Sequence, residues 1–315
     1  MTSATPVRIA TRGSLQARTQ AGVVAAAITR ANPDLTVELV FVETLGDQRQ
    51  DVPLHTIGGQ GVFVKEVQRA VLDGRADLAA HSAKDLPSAS ADGLTIGAFC
   101  ARRSPADALV GTRLSDLAPG ATVATGSVRR RAQLSAARPD LVFTELRGNI
   151  QTRLSKVPDG GSVVMAVAAL EILDLTMLIA DELDPAVFVP AIGQGCVAVE
   201  CRSDDAAMLD ALASIDDATA RRAVTAERAF LATLGSGCSL PVGAWASNGR
   251  LHAFLADPER SRYLHRVVDL AGAGAAAGDD GDAGDDGDDE PAEPVDESTV
   301  AAEVARQMRD ELADA

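Results

Sequence analysis

The chain is poor in the residues that build zinc sites and disulfide frameworks, and it lacks the long apolar runs that build membrane spans. Its four cysteines, Cys100, Cys196, Cys201 and Cys238, include no C-x-x-C pair, and its only histidines are His55, His81, His252 and His265. Neither a metal site nor a disulfide framework is signalled, and this usage fits a reduced, intracellular compartment. No apolar stretch approaches the length of a membrane span, and the opening MTSATPVRIATRGS lacks the basic flank and apolar run of an export signal. The expectation is a soluble cytoplasmic protein with no membrane partner. Positive charge is also short: 29 Lys plus Arg stand against 45 Asp plus Glu, a formal net charge of −16. That field repels a phosphate backbone and argues against nucleic acid. Lysine occurs only at Lys65, Lys84 and Lys156, so nearly all the positive charge is arginine, whose planar fork suits bidentate recognition of carboxylate or phosphate. No Walker loop and no Ser-His-Asp order is present, which weakens nucleotide and serine-hydrolase readings.

What is there reads as alternating strands and helices. VRIAT predicts a strand, the stretch from Ser14 to Arg30 a helix, VELVFVET a second strand, the stretch from Phe63 to Leu72 a helix, and ADLAAHS a strand leading into the polar KDLP. A second unit with the same pattern begins near Pro105: ATVATGS, SVRRRAQLSAA, LVFTEL, NIQTRLSK and SVVMAV alternate strand and helix. FVPAIGQGCVAVECR predicts a strand returning to the first lobe. The domains expected are therefore a first α/β lobe of residues 1–100 and 194–217, a second of 101–193, and a smaller α+β unit of 218–315. Two such lobes leave a cleft beyond their strand ends, the usual place for a small ligand. Residues 271–296, rich in Gly, Ala and Asp, lack the apolar bulk to order themselves and read as a disordered acidic insertion. A calcium loop starting at Asp280 fails because its glycine position holds Asp285. The closing helix, about Ser298 to Leu312, sets Ala301, Val304, Ala305, Met308 and Leu312 on one face.

Arginines gather where strands run into helices: Arg12 with Ser14, Arg129, Arg130 and Arg131 after Thr125, Gly126 and Ser127, then Arg147 and Arg153. Such junctions offer side-chain forks and backbone N–H groups to an anion, and their joint placement in an acidic chain points to a small polyanion, although any one of them also reads as a solvated helix face. In HSAKDLP, Asp85 is positioned to act as a general acid or base or to stabilise a developing cation; its plainer reading is a turn acid bonded to local backbone. Cys238 lies in LGSGCSLPVG, where flanking glycines leave a thiol uncovered, and the choice there is between a covalent attachment point and a cysteine in a tight turn.

Taken in order, RIATRGS, GGQGVFVKE, ADLAAHSAKDLP, TGSVRRRAQL, LRGNIQTRLSK, PAIGQGCVAVECR and GSGCSLPVGA resemble the hydroxymethylbilane synthase, or porphobilinogen deaminase, family from about Val7 to Ala246. The resemblance implies two lobes like those of periplasmic binding proteins, a third small domain and a monomer. It also implies a dipyrromethane cofactor joined by a thioether to Cys238, with Asp85 as the catalytic carboxylate. The substrate implied is porphobilinogen, four molecules of which are condensed with loss of ammonia and then released as a linear tetrapyrrole. The matching positions for substrate carboxylates are Arg12, Ser14, Arg147 and Arg153, and for cofactor carboxylates Ser82, Lys84, Thr125, Ser127, Arg129 and Arg130. Three cations of the family pattern are replaced, by Thr56, Gln60 and Ile172, for which Arg131 or His55 is a candidate compensation. The rival readings are a two-lobed receptor for an organic anion and a cysteine hydrolase in which His252 or His265 serves Cys238.

Overall fold

Three sheets organise the described part of the chain, which in this computed structural model comprises residues 6–44, 61, 63–235, 240–257, 262–271 and 296–314. The first lobe begins with β1 (Val7–Arg12), α1 (Leu15–Ala31), β2 (Val37–Val42), α2 (Lys65–Leu72), β3 (Leu78–Ser82) and β4 (Leu94–Phe99). The second holds β5 (Asp107–Gly111), β6 (Thr122–Ala124), α3 (Val128–Ala137), β7 (Val142–Thr144), α4 (Ile150–Leu154), β8 (Ser162–Ala166), α5 (Val167–Glu171) and β9 (Ile179–Leu183). The chain then returns as β10 (Val197–Arg202) and continues through α6 (Ala206–Ala213) and α7 (Ala218–Leu234) into β11 (Val242–Ser247), β12 (Arg250–Ala256), β13 (Tyr263–Asp269) and α8 (Glu297–Ala313).

The strand order of the first sheet is β2-β1-β3-β10-β4 and that of the second β7-β6-β8-β5-β9. In both, three neighbouring strands run parallel and the fourth and fifth are joined antiparallel. The repeated strand-helix pattern therefore reflects a repeated topology, and each lobe lends its odd strand across the junction: β5 follows β4 into the second sheet, and β10 comes back into the first. Strands covered on both faces read as near-continuous apolar runs, and Ile9, Ala10, Leu78, Ala79, Val163 and Val164 are accordingly buried. The third unit packs α7 and α8 on one face of β11-β12-β13, with Phe230, Leu251, Ala253, Ala301, Val304, Ala305 and Met308 in its core. The expected fold class, two α/β lobes and a smaller α+β unit, is the one observed.

Some expectations need correction. The strand expected from Phe188 forms only over Val197–Arg202, because Gly193 and Gly195 hold φ of 69° and 88° and turn the chain first. Ser14 is not helical but caps α1, its Oγ accepting from Ala17 N at 3.3 Å, and the helix placed from Phe63 starts at Lys65. Residues 272–295, the bulk of the expected acidic insertion, lie outside the described residues.

Candidate active site

The C-terminal ends of the parallel strands of both lobes open onto one cavity of about 720 Å³, within the range of ligand pockets. Each strand end delivers a functional segment. Arg12 closes β1, and its guanidinium lies 4.0 Å from the centroid of the Phe63 ring, a cation–π contact that orients it. β3 runs into a single 3₁₀ turn, Ala83–Asp85, which sets Lys84 and Asp85 at the cavity. β6 leads to Ser127, which caps α3 by accepting from Arg130 N at 3.4 Å, so Arg129 and Arg130 occupy the first helical turn. Asn149 caps α4 in the same way, accepting from Thr152 N at 3.0 Å, between Arg147 and Arg153.

Arg12, Ser14, Lys84, Asp85, Ser127, Arg129, Arg130, Arg147 and Arg153 all line this cavity. Sequence positions as far apart as 12 and 153 thus converge, as the junction arginines predicted. Ser82 lies beside it, lining a small adjoining cavity with Arg12, Asp85 and His81, and its hydroxyl donates to Gln20 Oε1 at 3.1 Å. Thr125 is buried behind the wall, where its Oγ1 accepts from Ser127 N at 3.2 Å. Arg131 turns to the exposed Glu145 at 3.2 Å, and Ile172, where the family pattern has a cation, is buried. Cys238, Thr56, Gln60 and His55 lie outside the described residues. Cys238 belongs to the connection between α7, capped by Gly235, and β11.

Behind the cavity floor, bonded to its lining residues Arg129, Arg130 and Gln194, lies a carboxylate that sequence reasoning missed. Asp107, at the start of β5 and 1 % exposed, receives Arg129 Nη2 at 2.7 Å on Oδ2, and on Oδ1 receives Arg130 Nε and Nη2 at 3.0 and 2.7 Å and Gln194 Nε2 at 2.8 Å. Burial opposes its ionisation, but the two guanidiniums outweigh it and hold the carboxyl well below the usual range. Val189 O and Val164 O accept further bonds from Arg129 and Arg130 at 2.7 and 2.9 Å. The expected cofactor arginines are thus oriented from behind by the protein itself. The signal was an acid inside the apolar strand DALVG, where a lone charge needs a partner.

The field over the cavity is positive. Burial, then Arg130, pushes the Lys84 ammonium down to about 8, with Asp85 and Asp107 opposing. Burial likewise pushes Arg153 down to about 10, reinforced by Arg130, Arg147 and Arg12 and opposed by Asp85. Burial among like charges makes the protonated forms of both groups costlier, and a nearby anion would offset that cost. Elsewhere burial pushes the thiols of Cys100, Cys196 and Cys201 up to about 11, 12 and 11, and so away from nucleophilic work.

Comparison with known proteins identifies the family. The family model described as porphobilinogen deaminase, dipyromethane cofactor binding domain, matches residues 7–210, and the porphobilinogen deaminase C-terminal domain matches residues 221–279. The chain belongs to the porphobilinogen deaminase family. A porphobilinogen deaminase of Roseiflexus sp. (strain RS-1) is 48% identical over 243 residues, 76% of this chain and 80% of the relative. That of Roseiflexus castenholzii (strain DSM 13941 / HLO8) is 48% identical over 244 residues with the same coverage. Among solved structures, the VFT2 domain of Bordetella pertussis BvgS (double mutant) is 15% identical with a TM-score of 0.41, covering 67% of this chain and 86% of that one. Family membership bears out the expected hydroxymethylbilane synthase function, a transferase of tetrapyrrole synthesis, and the dipyrromethane cofactor. The anion-receptor and cysteine-hydrolase alternatives are not favoured.

Proposed function

We propose that the cavity condenses porphobilinogen units onto a dipyrromethane held by Cys238, with Asp85 as the catalytic carboxylate. The observation that carries this reading is the convergence of Asp85 with arginines from both lobes on one cavity. The cofactor fits the residues present, because its acetate and propionate groups match the guanidinium forks, the Lys84 ammonium and the serine hydroxyls around the floor. When bound, it would supply the nucleophilic carbon to which the first new ring is joined, each later ring adding to the one before it.

The chain's own groups then divide the work. Arg12, Arg147 and Arg153, with Ser14, hold the carboxylates of incoming porphobilinogen; Lys84, Arg129 and Arg130, with Ser82 and Ser127, hold those of the cofactor, and Thr125, expected among them, instead braces Ser127 from behind the wall. Ser14 and Ser127 use their hydroxyl oxygens as helix caps and keep the hydroxyl protons to donate. Asp85 pairs with the positive charge that develops at the substrate's pyrrole nitrogen as ammonia leaves, and its fixed place between cations of both lobes makes that stabilisation pre-organised. We further take residues 1–100 with 194–217, 101–193 and 218–315 as the three domains, and the enzyme as a cytoplasmic monomer that binds neither nucleic acid nor membrane. Among the described residues no helix is long and apolar enough to cross a membrane, and the net charge of −16 disfavours a nucleic-acid partner.

Mass spectrometry of the native chain tests the proposal. The expected mass exceeds that of the sequence by two pyrrole units, and Cys238→Ser loses both the excess and the activity. Asp85→Asn is expected to keep its fold and lose turnover by at least about 100-fold. A bare native chain, or full turnover in Asp85→Asn, overturns the assignment.

A further inference from the structure

Gln194 lies in the second crossover between the lobes, 1 % exposed, and lines the cavity floor. Its side chain faces three acceptors on one side: Nε2 donates to Pro105 O at 2.7 Å and Asp107 Oδ1 at 2.8 Å, with Ala106 O at 3.3 Å. On the other side Lys84 Nζ donates to Oε1 at 3.2 Å. The amide therefore has only one sensible orientation, since the flipped form would set an oxygen against three oxygens and an NH₂ against an ammonium. Its backbone is held as well, Gln194 O accepting from Arg102 Nε at 2.9 Å.

We propose that Gln194 is a positioning residue for the condensation. One amide group spans the cleft floor and ties the Lys84–Asp85 turn of the first lobe to the Asp107–Arg129–Arg130 centre of the second, so that cations from the two lobes keep one spacing toward the carboxylates they receive. A residue serving only to fill the crossover would not need both ends of an amide satisfied by charged groups of different lobes. The inference rests on the reading that Lys84 and the arginine pair receive cofactor carboxylates. It adds that their mutual distance is set by a neutral amide bonded to Lys84 and to the arginines' counterion Asp107.

The charged groups facing Lys84 are Asp85 from its own turn, Arg129 and Arg130 from α3, and Asp107 from β5. Oε1 favours the charged ammonium, so removing it moves Lys84's titration to lower pH. With only three lysines in the chain, trace acetylation of the holoenzyme across pH, read by peptide mass, follows Lys84 against Lys65 and Lys156 as internal references. In Gln194→Met the Lys84 profile is expected to shift down by about one pH unit, with kcat falling roughly 10- to 100-fold and its alkaline limb moving the same way. Gln194→Asn, one methylene too short to span the floor, is expected to do the same. An unchanged Lys84 profile in either folded variant overturns the proposal. In the wild type, which needs no variant to fold, the Gln194 side-chain amide protons should be protected from exchange, and rapid exchange overturns it equally. A native chain without its two-pyrrole mass excess would instead defeat the functional reading, because labelling of Lys84 does not require the cofactor.

Discussion

Asp107 decides how two adjacent arginines behave. Unpaired, Arg129 and Arg130 would repel one another in a buried wall; with one carboxylate between them they form a rigid fork pair whose remaining positive field faces the cavity. Asp107→Ala is expected to destabilise the cofactor-free protein by about 3 to 5 kcal/mol, because two desolvated cations lose their shared counterion. The loss should be smaller in the holoenzyme, where cofactor carboxylates replace it, and comparing thermal melts of the two forms checks this. The pH dependence has a definite sign. Asp107's folded pKa is depressed, so its contribution is present above the ordinary carboxyl range and disappears as pH falls through the folded value, beginning below about pH 4. Arg12, Arg129, Arg130, Arg147 and Arg153 were legible in sequence because each sits at a strand-to-helix junction. Asp107 and Gln194 were not, since their roles depend on partners 22 to 110 positions away.

The element that allows the lobes to meet is the crossover Gly193-Gln194-Gly195. Gly195 has a φ of 88°, and a Cβ there would stand 2.6 Å from Arg103 O and 2.8 Å from Ser104 O; at Gly193 it would stand 2.9 Å from the Ala83 Cβ. The tight approach lets Arg103 N donate to Gly195 O at 2.9 Å, lacing the two inter-lobe segments together. Gly195→Ala is expected to cost at least about 2 kcal/mol, through left-handed strain and a clash with backbone that cannot move aside, measurable as a lowered denaturant midpoint. The alternation of strands and helices was readable from periodicity. The break in the expected return strand was not, because apolar residues flank the glycines on both sides and only the packed backbone explains the turn.

Across the molecule, Glu227 of α7 fastens the third unit to the two segments that cross between the lobes. It is fully buried, accepts from Arg102 Nη1 and Nη2 at 2.5 and 3.2 Å, and also accepts from Gly193 N at 2.7 Å and Ala246 N at 2.9 Å. One carboxylate thereby ties both crossovers to the unit that contains Cys238. The third unit is anchored at the junction of the lobes. Glu227→Gln, which replaces two charge-assisted bonds from Arg102 with a neutral contact and puts an NH₂ where every partner is a donor, is expected to cost about 3 kcal/mol. Limited proteolysis should then separate the third unit from the lobes more readily than in wild type; equal resistance and an unchanged melt would show that the junction does not depend on this charge.

The amino-acid order alone was enough for the family motifs, the repeated α/β pattern and the arginine-rich strand ends, because these are local: a strand's period, a helix cap and a junction residue are each written within a few positions. Folding settled which of those cations meet, what orients them and how the lobes are joined. Asp107, Gln194 and Glu227 carry that information as single polar groups in apolar surroundings, and a buried polar group acquires its meaning only from the distant partners that satisfy it.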